Sequence, residues 1–307
     1  MQWESAQRGT LPGTRPKPAE EDAAAPRRVA AILESAAYRQ ADQDVDFLNQ
    51  YDTRGVRLQL DYLKAELLLE QHRIAHTIVV FGSTRVPEPA PARQQVESLR
   101  QQQLRDPTDP EIRRRLAIAE RIADKSRYYD MAREFGVLVG RAGEGRESAR
   151  IVIMTGGGPG LMEAANRGAH DAQARSVGLN VSLPHQQYPN PYITPDLCFR
   201  FHYFALRKLH FLLRARALVV FPGGYGTLDE LFETLTLVQT HKIEPLPVVL
   251  VGEAFWCRAV NFEFLVAEGV IEEADRELFW FAESAQDIWA GILRWHDMRG
   301  RPLLHSR

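Results

Sequence analysis

A glycine-rich turn followed closely by a glutamate is the part of this sequence best suited to chemistry. Residues 222–227 read Pro-Gly-Gly-Tyr-Gly-Thr; they follow an apolar run at 217–221 and precede a helical pattern that carries Glu230. A strand, a glycine turn and a helix start in this order aim backbone N–H groups and the positive helix end at a ligand. Glycine has no Cβ, so the ligand can come close to the backbone. We therefore predict a site for an anion such as phosphate.

The turn is neither of the two best-known phosphate loops. A Walker loop needs Gly-Lys-Ser/Thr, but Gly226 is followed by Thr227 and Leu228. The dinucleotide fingerprint G-x-G-x-x-G needs a further glycine that this sequence lacks after Gly226. A tight turn that binds nothing is the alternative, but three glycines in four positions exceed what a turn requires.

Charged residues on both sides of the turn could complete a reactive site. Thr227 is the expected helix cap, and the Glu230 carboxylate either faces the ligand or bonds back to the Thr227 N–H as a capping box. The residues alone leave both readings open. Arg207 and Lys208 precede the strand; cations on a helix most often lie on a solvated face. The order along the chain, basic pair, strand, anion turn and carboxylate, favours a role in the site.

Strands alternate with helices along most of the chain. Apolar runs at 76–81, 151–154, 177–183, 197–202, 217–221, 246–251 and 277–281 predict strands. Helices are expected at 128–140, 161–173, 204–216, 227–239, 253–268 and 284–295, and a polar loop at 184–195. This alternation indicates an α/β fold with a Rossmann-like, doubly wound, mostly parallel sheet and helices on both faces. A second glycine turn, at 155–160, should meet the first at one edge of that sheet, where such folds bind ligands.

We divide the chain into four parts. Residues 1–28 are expected to be disordered because they hold little apolar content, and residues 29–75 form a helical N-terminal arm. Residues 76–296 form the Rossmann-like domain that binds the ligand, and 297–307 form a tail. Within the domain we interpret 87–126 as an insertion, helical from Asp109 onward. Its basic run at 113–115 is flanked by acidic residues, which favours a solvated helix face over a nucleic-acid patch.

Composition narrows the classes of partner. The net charge of −2 and the pI near 6.5 give no electrostatic footprint for a long nucleic acid. We find no signal peptide and no apolar run that could span a bilayer, so we expect a cytoplasmic protein without a membrane partner. Cys198 and Cys257 form no motif, and the nine histidines form no ligand cluster. We therefore expect neither a metal nor a cofactor.

These residues resemble one known family. Arg207-Lys208 together with residues 222–230 is similar to the paired signature RK…PGGxGTxxE of the LONELY GUY family, and residues 156–162 are similar to its GGGxxGLM segment. The resemblance covers roughly residues 77–252. It implies hydrolysis of the N-glycosidic bond of a nucleoside 5′-monophosphate, AMP or a cytokinin riboside monophosphate, to free base and ribose 5-phosphate. It also implies a homodimer or a larger oligomer.

The resemblance implies roles for individual residues. Glu230 would stabilise positive charge at C1′ and orient or deprotonate water, with Arg207 as its catalytic partner and Lys208 as a binding contact. No metal is implied. The phosphate and the rest of the nucleotide would be held by Gly223, Gly224, Tyr225, Gly226, Thr227, Gly157, Gly158 and Ser83.

Other interpretations and two departures from the family pattern leave questions open. Members are often labelled lysine decarboxylases, but nothing marks Lys208 as a Schiff-base lysine. A non-catalytic nucleotide or molybdenum-cofactor carrier on the same fold would need the phosphate turn but not Glu230, and a DNA-binding relative would need a basic stripe. Residues 204–206 lack the methionine that the family usually has, and 183–187 also differ. Both segments should border the base of the nucleotide, so the sequence does not decide which base is preferred.

Overall fold

The computed structural model describes residues 15–143, 151–184 and 188–304 of the chain. These divide into two units, Met1–Leu60 and Asp61–Arg307. Residues 1–14, half of the segment 1–28 that we expected to be disordered, lie outside the described residues. The loop positions 185–187 also lie outside them.

The first unit consists of short helices. α1 (Ala25–Glu34) and α2 (Val45–Leu48) lie within it, and α3 (Arg54–Gln71) contains the boundary between the units. α1 begins before the predicted boundary at residue 28, because Pro26 suits a first helical turn. Asp44 caps α2 by accepting a hydrogen bond from the Phe47 N–H.

A seven-stranded parallel sheet forms the centre of the second unit, which confirms the predicted doubly wound α/β fold. The strands are β1 (His76–Phe81), β2 (Ile151–Thr155), β3 (Ser176–Val181), β4 (Cys198–Phe201), β5 (Ala215–Val220), β6 (Val248–Val251) and β7 (Phe279–Ala282). Their order in the sheet is β4-β3-β2-β1-β5-β6-β7, so the direction of winding reverses between β1 and β5. Ile78 of β1 lies opposite Ile153 of β2 on one side and Ala217 of β5 on the other.

Helices cover both faces of the sheet. One buried cluster joins the sheet to α6 (Arg127–Gly143), α7 (Leu161–Asp171) and α12 (Ala285–Met298). The other joins the opposite face to α3, α8 (Phe204–Leu213), α9 (Tyr225–Gln239) and α10 (Glu253–Ala259). The central strands are buried on both faces, which explains their continuous apolar sequence.

The segment that we interpreted as an insertion contains two helices rather than one. α5 (Pro110–Lys125) begins where we predicted, because Asp109 caps it through the N–H groups of Glu111 and Ile112. α4 (Pro89–Arg105) was not predicted: its sequence is rich in Gln and Arg, and its apolar residues Val96 and Leu99 are buried in a small cluster with α5. The arginines at 113–115 are exposed, and Arg114 pairs with Glu111, as expected for a solvated face.

The C-terminal helices also differ from the prediction. The expected helix at 253–268 is two helices, α10 and α11 (Phe262–Ala267). The break occurs because Asn261 leaves the helical conformation and caps α11 through the Phe264 N–H. The last helix, α12, continues to Met298, into the segment that we expected to be a tail.

Glycine permits a close contact between α6 and α7. A Cβ on Gly168 would collide with the carbonyl oxygen of Arg133 in α6. We expect Gly168→Ala to lower the free energy of unfolding by about 1–3 kcal/mol, because the two helices must separate. Gly55→Ala in α3 has open space and serves as the control. Urea denaturation of both variants measures the difference; equal stabilities would contradict this account of the contact.

Candidate active site

Three turns meet where the sheet reverses its direction of winding. The N–H of Ser83, after β1, donates to the carbonyl of Pro222, after β5, at 3.0 Å. The carbonyl of Ser83 accepts from the N–H of Leu161, at the start of α7, at 3.1 Å. Gly160 has a φ of +75°, and a side chain there would collide with the Ser83 carbonyl. Ser83 therefore joins both glycine turns to the central strand.

A cavity of about 600 Å³ opens at this edge of the sheet. Such a position, at the carboxyl ends of parallel strands, is where doubly wound folds bind ligands. The turns after β1, β2, β3 and β5 and the helices α7, α8 and α9 contribute to its walls. The walls are formed by Phe81, Gly82, Ser83, Thr84, Arg85, Gly156, Met162, Val181, Leu183, Phe204, Arg207, Gly224, Tyr225, Gly226, Thr227 and Glu230.

The helix after β5 begins earlier than we predicted. Gly224, not Thr227, is the capping residue of α9, and the Thr227 N–H donates to the Gly224 carbonyl at 3.0 Å. The N–H groups of Gly224, Tyr225 and Gly226 precede the first helical hydrogen bonds and therefore have no acceptor within the helix. They are the groups at this helix start that can bind an anion.

Gly223 and Thr227 have a structural relationship that the sequence did not reveal. The Thr227 hydroxyl lies where a Cβ on Gly223 would have to be. Thr227 lines the cavity, but Gly223 is not among the residues of its wall. Gly223 therefore allows the close packing of the turn on its own helix.

Glu230 places a buried carboxylate at the cavity. Its side chain is 5% exposed, and Oε1 accepts no hydrogen bond from the described residues. The capping-box reading is wrong, because the Thr227 N–H that it requires donates to Gly224. Burial raises the pKa of Glu230 to about 7, although the charges of Arg207 and Lys208 act in the opposite direction. A carboxyl group with this pKa can exchange protons near neutral pH.

Arg207 faces Glu230 from α8. Its Nη2 lies 3.7 Å from Glu230 Oε1, beyond hydrogen-bond distance, and its side chain is 14% exposed. Burial lowers the pKa of Arg207, but a guanidinium remains charged at neutral pH. The structure thus brings together the two residues that we expected to be catalytic.

Lys208 lies outside the cavity wall. Its ammonium is 2.9 Å from Asp229 Oδ1 and 2.8 Å from Glu233 Oε2, so it links α8 to α9. Burial is the largest single influence and lowers the pKa of Lys208. The contacts with Glu233 and Asp229 outweigh it together with the nearby negative charges, so the pKa is raised above its ordinary value. Its expected contact with substrate stays a prediction, and its visible role is to hold the two helices together.

The second glycine turn contributes less to the cavity than its sequence suggested. The Gly157 N–H donates to Thr155 Oγ1, and the Gly157 carbonyl accepts from the Asn190 N–H. The carbonyl of Gly158 accepts from Asn190 Nδ2 at 3.2 Å. Neither glycine belongs to the cavity wall, which this turn reaches through Gly156 and Met162.

Several wall residues escaped the sequence analysis. Arg85 adds a cation two residues after Ser83, and its position after β1 could have indicated it. The apolar part of the wall is formed by Met162, Val181, Leu183 and Phe204, of which Leu183 and Phe204 lie in the two segments that we expected to border the base. Val181 ends β3, so the rule that ligands bind at carboxyl ends of strands could have indicated it too.

Two searches of the described residues gave negative results. They contain no group of His, Cys, Asp and Glu side chains placed to hold a metal ion. Among the same residues we find no helix with the length and apolar character needed to cross a bilayer.

Comparison with known proteins gives consistent relatives. The family model described as "Possible lysine decarboxylase" matches residues 162–292. Cytokinin riboside 5′-monophosphate phosphoribohydrolase LOG3 of Arabidopsis thaliana is 30% identical over 171 residues, which cover 53% of this chain and 74% of LOG3. The rice enzyme LOG is 30% identical over 169 residues, covering 53% of this chain and 65% of its own, just under two thirds.

More distant matches cover less or resemble the chain less closely. The pyrimidine/purine nucleotide 5′-monophosphate nucleosidase of Escherichia coli K12 is 33% identical over 115 residues, which are 33% of this chain and 24% of that enzyme. Among solved structures, the molybdenum cofactor carrier protein of Chlamydomonas reinhardtii matches 73% of this chain and 98% of its own at 19% identity, with a TM-score of 0.42. A likeness of that size decides nothing about function.

The raised pKa of Glu230 has a consequence for stability. A carboxyl group whose pKa is higher in the folded chain than its ordinary value of 4.5 opposes folding once it ionises, so its cost grows as the pH rises from 4.5 to about 7. Glutamine keeps the shape but cannot ionise. We expect Glu230→Gln to raise the free energy of unfolding at pH 8 by about 2–4 kcal/mol, with no gain at pH 4.

Chemical denaturation at the two pH values measures this difference. Glu268→Gln, at an exposed position, is the control and should change little at either pH. Equal stability of Glu230→Gln and the wild type at pH 8 would show that the carboxylate is not buried as described.

Proposed function

Because this chain belongs to the LONELY GUY (LOG) family, we propose that it hydrolyses the N-glycosidic bond of a nucleoside 5′-monophosphate. The products are the free base and ribose 5-phosphate. The observation that carries the proposal is the buried Glu230 carboxylate, which has a pKa of about 7 and lies in a cavity that also contains an anion-binding helix start. The names of the relatives, which are phosphoribohydrolases and a nucleosidase, support the same class of reaction.

The phosphate binds at the polar end of the cavity in this proposal. The N–H groups of Gly224, Tyr225 and Gly226 and the positive end of the α9 dipole favour an anion there. The Ser83 hydroxyl and the Arg85 side chain line the same cavity and can add a hydrogen bond and a positive charge. Gly157 and Gly158 support the wall from behind in this scheme.

Glu230 acts on the sugar. Cleavage of the bond between C1′ and the base nitrogen leaves positive charge on C1′, as in glycoside hydrolysis. An ionised Glu230 stabilises this charge and accepts a proton from the water whose oxygen bonds to C1′; the base departs with the electron pair of the broken bond and takes up a proton. Arg207 favours the ionised form of Glu230, since a nearby positive charge lowers the pKa of a carboxyl group.

The base lies at the apolar end of the cavity. Met162, Val181, Leu183 and Phe204 offer contact area but no side-chain hydrogen bond. This composition supports a site that holds a base by shape and stacking, so adenine and related bases are all reasonable substrates. The cytokinin riboside 5′-monophosphates that appear in the names of the relatives are candidate substrates of the same kind.

Decarboxylation is less compatible with the site. A decarboxylase that uses pyridoxal phosphate needs a lysine amine free to form a Schiff base. No lysine belongs to the cavity wall among the described residues, and the ammonium of Lys208 is paired with Asp229 and Glu233.

We also propose that the chain forms a homo-oligomer through the outer face of α9. Tyr225, Leu228 and Phe232 repeat at helical spacing along a shallow groove, and Tyr225 is 93% exposed at the cavity. A monomer seldom leaves such side chains in water without a partner. A second copy on this face would lie beside the mouth of the active site.

Base release from nucleoside 5′-monophosphates tests the catalytic proposal. We expect wild-type protein to release base from AMP or a related nucleotide, and Glu230→Gln to reduce kcat by about 100- to 10,000-fold while nucleotide binding is kept. The value of kcat/KM should fall below about pH 7, because protonated Glu230 can no longer accept a proton.

The same assay separates the alternatives. Glu268→Gln is the control for a change of surface charge, and it should keep full activity. If the wild type binds nucleotides but releases no base across the panel, including cytokinin forms, the hydrolase proposal fails and a carrier role replaces it.

Sedimentation tests the oligomer. We expect Phe232→Glu to shift the protein to a smaller species, because a charge on the proposed interface must be desolvated when the copies meet. Phe264→Glu, which changes an exposed residue of α11, is the control. A wild-type protein that sediments as a monomer at micromolar concentration would contradict the proposal.

A further inference from the structure

The guanidinium of Arg207 is held by aromatic rings rather than by hydrogen bonds. Its Nε is buried without a hydrogen-bond partner among the described residues, and the nearest Glu230 oxygen is 3.7 Å from Nη2. Its Cζ lies 4.3 Å from the centroid of the Phe204 ring and 5.5 Å from that of Phe211. Cations at these distances are attracted to the face of an aromatic ring.

The two rings differ in their freedom. Phe211 is fully buried, and it packs edge to face with Phe81 at 4.7 Å, so the core fixes it. Phe204 is the first residue of α8, is 45% exposed and belongs to the cavity wall. The ring of Phe204 can therefore contact a molecule bound in the cavity.

We propose that Phe204 is a positioning residue for Arg207: its ring keeps the guanidinium opposite Glu230 during the hydrolysis proposed above. The inference rests on that proposed function. Phe204 is the closer ring and, unlike a methionine, offers a π face to the cation. A base in the cavity packs on the exposed part of the ring and restrains it further, so binding of the base tightens the hold on Arg207.

The arrangement around Glu230 explains why this matters. Arg207 and Lys208 approach it from α8, Asp229 and Glu233 lie near it on α9, and Arg85 lines the cavity from the turn after β1. Lys208 is paired with Asp229 and Glu233, so Arg207 supplies the cation that lies closest to the carboxylate. If Arg207 moves away, Glu230 loses that neutralising charge and binds its proton more tightly.

Substitution of Phe204 by apolar residues without a ring tests the proposal. For Phe204→Leu and Phe204→Met we expect kcat to fall by about 5- to 20-fold. We also expect the acidic limb of the kcat/KM profile to move up by about half a pH unit or more, because Glu230 then ionises at higher pH. Phe204→Tyr keeps the π face, so its kcat should fall less than that of the ringless variants and its acidic limb should shift less.

Phe264→Leu is the matched control, since it makes the same substitution at a similarly exposed position, 54%, on α11. Wild-type kcat and pH profile in both ringless variants would overturn the inference. So would a rise in KM alone, since that is the effect of a simple contact with the base. An inactive wild type would instead overturn the proposed function, so the two failures are distinguishable.

Discussion

The site depends on the distance between two buried charges. Glu230 Oε1 and Arg207 Nη2 are 3.7 Å apart, close enough for strong attraction in a poorly solvated environment but too far for a hydrogen bond. At hydrogen-bond distance the two groups would satisfy each other, and the carboxylate would become a purely structural partner. The gap leaves Oε1 able to bind water or to face a developing positive charge. The proposed hydrolysis therefore depends on this separation as well as on the pair itself.

Contacts outside the cavity maintain this separation. Lys208, next to Arg207, binds Asp229 and Glu233, which flank Glu230 along α9. This link joins α8 to α9 and leaves Arg207 at 3.7 Å from the Glu230 carboxylate. Ser83 performs a similar task for the turns, since it bonds to Pro222 on one side and Leu161 on the other. A cavity formed by turns, which are usually mobile, is thus held by backbone hydrogen bonds to the central strand.

The sequence was sufficient where local patterns reflect the physics directly. Continuous runs such as residues 217–221 predict buried parallel strands, and the two glycine turns predict where turns meet at one edge of the sheet. It was insufficient where the environment decides. Thr227 has the composition of a helix cap, yet α9 starts at Tyr225 because Gly223 lets the Thr227 side chain fold beneath the turn. α4 escaped because Val96 and Leu99 form a small core with Leu116 and Ala119 of α5.

The burial of Glu230 opposes folding at neutral pH, so a role in function explains this buried carboxylate better than a role in stability. A structural carboxylate can be satisfied by a close partner, and a core position can be filled by an apolar residue at no electrostatic cost. Among the described residues, Glu230 Oε1 has no hydrogen-bond partner, and its cavity also contains a helix start with free N–H groups and several apolar side chains. These environments suit an anion, a centre of developing positive charge and an apolar ring system. A nucleotide carries all three in its phosphate, sugar and base, whereas lysine has a second cationic amine in place of an apolar ring system.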